Sequence, residues 1–76
     1  MKRSIIIDDE EKSRATLSSF IKKYCPSLQV VDMANGVETG IYSIKKNAPD
    51  VVFLDIEMDD GTGFDVIEKV KGLSFD

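Results

Sequence analysis

Three short strand-like stretches, at residues 4–7, 28–33 and 51–54, are each followed by a stretch with helical spacing of its apolar side chains. The first, Ser4-Ile5-Ile6-Ile7, is continuous and β-branched, the pattern of a strand buried on both faces rather than one half-exposed to water. After it, residues 10–24 carry Leu17, Phe20, Ile21 and Tyr24 at i, i+3, i+4 and i+7, one apolar stripe on a helix. Glu10 and Glu11 begin that helix and Lys22 and Lys23 end it, as the helix dipole favours. Pro26 stops it. Asn35-Gly36-Val37-Glu38 has the form of a capping box with Asn35 at the cap. The helix it opens places Val37, Ile41, Ile44 and Ala48 on one face, and Pro49 closes it. Residues 59–63 read as a loop. Residues 64–71 read as a third helix with Phe64, Ile67 and Val70 inward and Gly72 just past its end. Strand then helix, three times over, implies a parallel sheet with right-handed crossovers. Three such units cannot close a barrel, so the expected architecture is α/β, an open, doubly wound sheet.

Composition narrows the chemistry. The 76 residues allow one small domain, and 10 basic against 14 acidic side chains give a net charge of −4, unfavourable for default nucleic-acid binding. There is no histidine and one cysteine, Cys25, which excludes an internal disulfide, a Cys/His zinc site and Ser-His or Cys-His nucleophiles. The longest apolar run is far short of the roughly 20 residues that span a bilayer. Lys2-Arg3 before an apolar stretch suggests a signal peptide, but Asp8-Asp9-Glu10-Glu11 cuts that stretch too short. The expectation is a cytoplasmic chain without membrane contact, whose abundant reactive groups are carboxylates.

Those carboxylates are placed where a doubly wound sheet binds ligands. Asp8 and Asp9 directly follow the first strand and Asp55 directly follows the third, at the carboxyl edge. If strands one and three are neighbours, three acids converge. Such a cluster requires a cation, and oxygen donors favour a hard divalent ion such as Mg²⁺. A carboxylate is also a competent phosphoryl acceptor. Helix capping would account for Asp8 or Asp9 but not for Asp55. A calcium loop from Asp55 to Gly61 fails because its glycine falls one place late and Val66 stands where a bidentate glutamate belongs. Asp8-x-Glu10 is a poor version of the Asp-x-Asp of haloacid-dehalogenase phosphatases.

The run Ile5-Ile6-Ile7-Asp8-Asp9-Glu10, together with Val52-Phe53-Leu54-Asp55-Ile56-Glu57-Met58 and Gly63, resembles the receiver domain of bacterial two-component response regulators. Ala34-Asn35-Gly36 and Pro49-Asp50-Val51 fit the same family, so the resemblance covers almost the whole chain. It implies a flavodoxin-like fold with strand order 2-1-3, helix one on one face and helices two and three on the other. It makes Asp55 the phosphoacceptor, Asp8 and Asp9 holders of Mg²⁺ with Asp9 the direct ligand, and Glu57 a donor of its backbone carbonyl to the metal. The phosphoryl source would be a sensor histidine kinase. The domain would be a signalling acceptor, not an enzyme, and would control transcription through a DNA-binding output domain outside these residues. Asp-Ile-Glu-Met is reminiscent of regulators with a LytTR-type output. Asp59 replaces the usual proline after Met58, and Asp60 adds a further charge.

The resemblance also implies that residues 1–76 are the N-terminal part of a receiver. The fourth and fifth βα units would be missing, and with them a hydroxyl residue and a lysine that contact the phosphoryl group. Residues 73–76 would then stop where a fourth strand begins. Strand three would have an unpaired outer edge, which predicts self-association by antiparallel pairing of that strand with its copy. The alternative to a switching receiver is an interaction fragment that retains only the acidic cation site.

Overall fold

The central strand is β1 (Lys2–Ile7), flanked by β2 (Leu28–Ala34) and β3 (Val51–Leu54), both parallel to it. The sheet order is therefore 2-1-3, as the resemblance implied. Residues 1–72 are described by the structure, a computed structural model; the expected fourth-strand start at residues 73–76 lies outside them. The described residues form three helices: α1 (Glu11–Tyr24), α2 (Val37–Asn47) and α3 (Gly63–Lys69). None of the described helices is long and apolar enough to cross a membrane.

Register follows from side-chain alternation. In β1, Ile5 and Ile7 point to the face covered by α2 and α3, where they form one buried cluster with Ala34, Val37, Ile44, Met58, Val66 and Val70. Ile6 and Ser4 alternate with them and are also fully buried, so the central strand has no exposed face among its last four residues. The Ser4 hydroxyl donates to the Gln29 carbonyl (3.0 Å), which satisfies the one polar side chain of that run. The β1–β2 pairing skips Val31 between Ser4 and Ile5, a bulge that leaves one extra residue on the edge strand.

Several sequence expectations shift in detail. Asn35 does not cap α2; the cap position is Gly36, which has no side chain to offer, and Asn35 instead accepts from the Thr39 hydroxyl (3.0 Å). Ala48 is exposed rather than inward, and ends α2 in a left-handed conformation (φ 45°) before the buried Pro49. Residues 57–62 contain a short antiparallel hairpin, β4 (Glu57–Met58) and β5 (Gly61–Thr62), where a loop was expected. The largest correction concerns α3. Its inward stripe is Gly63, Val66 and Val70, while Phe64 and Ile67 are 68% and 53% exposed. A capping box fixes where this helix starts: Thr62 Oγ1 accepts from the Asp65 N–H (3.3 Å), and Asp65 Oδ2 accepts from the Thr62 N–H (2.9 Å). Gly72 has a positive φ (96°), but α3 is capped at Val70, so it lies one place beyond the C′ position expected of it.

Candidate functional site

The strand ladder continues one residue past the end of each strand. The Asp8 N–H donates to the Ala34 carbonyl (3.0 Å), and the Asp55 N–H donates to the Ile7 carbonyl (2.9 Å). These two bonds fix the first residue after β1 and the first after β3 side by side. Asp9 follows in the turn to α1. One carboxylate oxygen from each of Asp8, Asp9 and Asp55 lies within 4.8 Å of the others, and all three residues are half-buried. The convergence expected from strand adjacency is therefore present.

Each acid is differently engaged. Asp8 Oδ1 accepts from the Glu10 N–H (2.9 Å), a local turn that reverses the chain into α1. The Asp8 carbonyl accepts from Arg14 Nη1 (2.7 Å), so the guanidinium anchors the main chain here and not the carboxylates. Asp9 Oδ2 accepts from the Asp59 N–H (3.1 Å), across from the β4–β5 hairpin. Among the described residues, nothing donates a hydrogen bond to the Asp55 carboxylate, which leaves its oxygens open to an incoming group. The ion pair found among the described residues, Lys71 with Glu68 (3.7 Å), is exposed and joins the last turn of α3 to the residues just beyond it.

Three carboxylates at this spacing repel one another by on the order of 3 kcal/mol per pair at an effective dielectric of about 20. Solvent ions screen part of that. With no ammonium or guanidinium paired to them among the described residues, the donor set matches a hard divalent cation that takes one or two carboxylates and completes its shell with water. Softer metals are a poor match, since the chain has no histidine and Cys25 sits at the far end of α1. Glu57 stands at the start of β4 opposite Thr62, with its side chain exposed and outside the trio; its expected role concerns the main-chain carbonyl alone.

Two site-forming contacts were not anticipated. One is the Asp59 N–H on Asp9. The other is Asp60, whose Oδ1 accepts from the Val37 N–H (2.7 Å) and Oδ2 from the Glu38 N–H (3.2 Å). The backbone amides of Val37 and then Glu38 hold the Asp60 carboxyl below the usual aspartate range. The available signal was indirect: a cap position occupied by glycine needs an acceptor from elsewhere, and Asp60 in a glycine-containing turn has no helix of its own to cap.

Charge is segregated along the molecule. Eight of the 14 acids are Asp8 to Glu11, Asp55, Glu57, Asp59 and Asp60, all within six residues after the carboxyl end of β1 or β3. Lys22, Lys23, Lys45, Lys46 and Lys69 occupy the last turns of helices that run back to the opposite edge.

Comparison with known proteins bears on this arrangement. The family described as the response regulator receiver domain matches residues 5–75. The sensory transduction protein LytT of Enterococcus faecalis is 35% identical over 69 residues, 91% of this chain and 28% of that protein. LytT of Bacillus anthracis is 31% identical over 71 residues, 93% of this chain and 28% of that protein. The solved response regulator domain of Thermotoga maritima CheB superposes with a TM-score of 0.89 at 25% identity, covering 97% of this chain and 56% of that one. The chain thus spans a little over a quarter of the length of these curated relatives.

Proposed function

The chain belongs to the response regulator receiver domain family, and on that premise we propose that the Asp55 carboxylate accepts a phosphoryl group from a phosphohistidine of a sensor histidine kinase. The observation that carries this reading is the convergence of Asp8, Asp9 and Asp55, with no donor to the Asp55 oxygens among the described residues. An Asp55 oxygen attacks phosphorus, an O–P bond forms, the P–N bond breaks and its electron pair leaves with the donor imidazole. The product is an acyl phosphate. Asp8, Asp9 and Asp55 would hold Mg²⁺, Asp9 as the direct ligand, with the Glu57 main-chain carbonyl completing the protein donors. The ion supplies charge neutralisation for the transferred group. Asp8, tied to the Glu10 amide, and Asp9, tied to the Asp59 amide, are held in position before any ligand arrives.

Under this reading the domain signals rather than turning over a substrate. It acts in the cytoplasm on an output domain that regulates transcription, and the relatives named LytT favour a LytTR-type output. Residues 1–76 are read as the N-terminal part of the receiver, in keeping with the 56% coverage of the CheB domain. The test is incubation with a small acyl-phosphate donor and saturating Mg²⁺. Base-labile, hydroxylamine-sensitive phosphate on the chain, lost in Asp55→Asn and on chelation, is the expected result; no incorporation would sink the reading for this chain.

A second reading is favoured by the edge of the sheet. Among the described residues β3 pairs only with β1, and Ile56, Phe64 and Ile67 are exposed. We propose that β3 pairs antiparallel with its copy in a six-stranded sheet, 2-1-3-3-1-2, so that the chain acts as an interaction module. Sedimentation should then show a dimer that dissociates on dilution, and a folded monomer at high concentration refutes it.

A further inference from the structure

The turn of the β4–β5 hairpin touches two parts of the molecule with adjacent residues. Asp59 gives its N–H to Asp9 Oδ2 (3.1 Å). Asp60 gives its carboxylate to the first two amides of α2, Val37 (2.7 Å) and Glu38 (3.2 Å). We infer that this turn is a strap that couples occupation of the acidic cation site to the N-terminal turn of α2. The inference rests on the cation reading proposed above and adds a mechanical consequence to it.

The contacts are specific on both sides. A helix leaves its first amides without intrahelical acceptors, and a side-chain oxygen at the cap position ordinarily serves them. Here the cap position is Gly36, which has none, so α2 depends on an acceptor 23 residues away in sequence. Gly36 is not demanded by backbone conformation: its φ of −172° is extended and open to any residue. It is demanded by space. A Cβ at Gly36 would lie 2.8 Å from Asp60 Oδ1 and 3.1 Å from Oδ2, so the absent side chain is the opening through which the carboxylate reaches the amides. On the other side, the Asp59 amide binds an acid that the cation would share. An oxygen that coordinates a divalent ion gives up electron density to it and is a weaker acceptor for an amide, and a re-seated Asp9 carboxylate moves the partner of Asp59. Asp59 and Asp60 are joined by one planar peptide, so a displacement of one reorients the other. Cation binding thereby changes the hold on Val37 and Glu38. By reciprocity, the cap changes cation affinity by the same factor.

The test is a Mg²⁺ titration of the full chain followed by amide resonances. In the unmodified protein, the Val37 and Glu38 amides shift with the same midpoint as Asp9 and Asp55. In Asp60→Ala, Asp9 and Asp55 still titrate, the Val37 and Glu38 amides no longer follow, and the Mg²⁺ dissociation constant changes several-fold. Gly36→Ala, which keeps the carboxylate but fills its opening, gives the same pattern. A through-space effect of the ion would persist in both variants, and that result overturns the coupling. It is equally overturned if Asp9 and Asp55 titrate while Val37 and Glu38 stay still in the unmodified protein. Absence of any response at Asp8, Asp9 and Asp55 removes the cation site itself, and the coupling with it.

Discussion

On one face of the sheet, Ile5, Ile7 and Ala34 meet Val37, Ile44, Met58, Val66 and Val70, and all eight are buried. On the other, Ile6 and Ile21 are buried, Leu17 is half-buried, and Phe20 and Tyr24 are 55% and 60% exposed. Two helices cover the first face and one the second. A helix is about 10 Å wide with its side chains, and neighbouring strands are about 4.8 Å apart, so a single helix cannot roof three strands. α1 sits over β1 and β2. It leaves an open groove of about 600 Å³ lined by Asp8, Lys12, Ser13, Thr16, Leu17 and Phe20. A second hollow of about 280 Å³ reaches Phe53 and Asp55 from the same side. The α2–α3 face is thus the load of the fold's packing, whereas the α1 face leaves the site acids accessible. Stability and access are divided between two sides of one sheet.

The largest expected effect tests that division directly. Ile44→Ala removes a fully buried side chain from the closed face and should cost about 3 kcal/mol by chemical denaturation. Leu17→Ala, on the open face, should cost about 1 kcal/mol, in proportion to the smaller apolar area it removes from water. Equal costs would break the comparison. Next in size is Gly40→Ala. Its Cβ would meet Ile7 Cδ1 at 2.8 Å and Cγ2 at 2.9 Å, so α2 lies close against the central strand. The gain in helix propensity, about 1 kcal/mol, is outweighed by overpacking of about 1–3 kcal/mol. The variant should be less stable than the parent, and Gly40→Ala with Ile7→Val should recover part of the loss. Ser19→Ala on the exposed side of α1 should change stability by less than about 0.5 kcal/mol. A stabilised Gly40→Ala would show that the closed face has slack.

The smallest effect concerns pH. Asp60 caps α2, whereas Glu10 at the start of α1 makes no side-chain cap bond. Because the folded-state pKa of Asp60 is lowered, its contribution is present above the ordinary aspartate value of 3.8 and is lost as pH falls through the lowered one. Asp60→Asn should flatten that part of the acid limb of a thermal-midpoint profile, and the amides of α2, not α1, should lose exchange protection on acidification. An unchanged acid limb in the variant would remove Asp60 from the account.

The order of the three strand–helix units was legible because each strand is short and rich in apolar residues and each helix carries an apolar stripe at helical spacing, whereas the β4–β5 hairpin between the third strand and its helix was not. The acids were legible because they directly follow strand ends. What misled was rotation about the axis of α3. Phe64 and Ile67 make an apolar stripe as good as that of Val66 and Val70, and hydrophobic spacing cannot rank two stripes on one short helix. The Thr62–Asp65 capping box sets where that helix starts, and the hairpin before it sets which side faces the sheet. The α1 stripe was identified correctly as a stripe, but its burial depends on how much of the sheet one helix can reach.

The sequence by itself determined the parallel three-layer plan, the family, and the placing of Asp8, Asp9 and Asp55 at one edge, since strand direction and residue order leave few other outcomes. Tertiary structure alone decided what contacts those acids make. The Asp59 amide on Asp9 spans 50 residues of sequence and the Asp60 cap on α2 spans 23, and neither has a local pattern to announce it. Both arise because a hairpin after β3 passes between the end of β1 and the start of α2, a proximity set by sheet order and close packing.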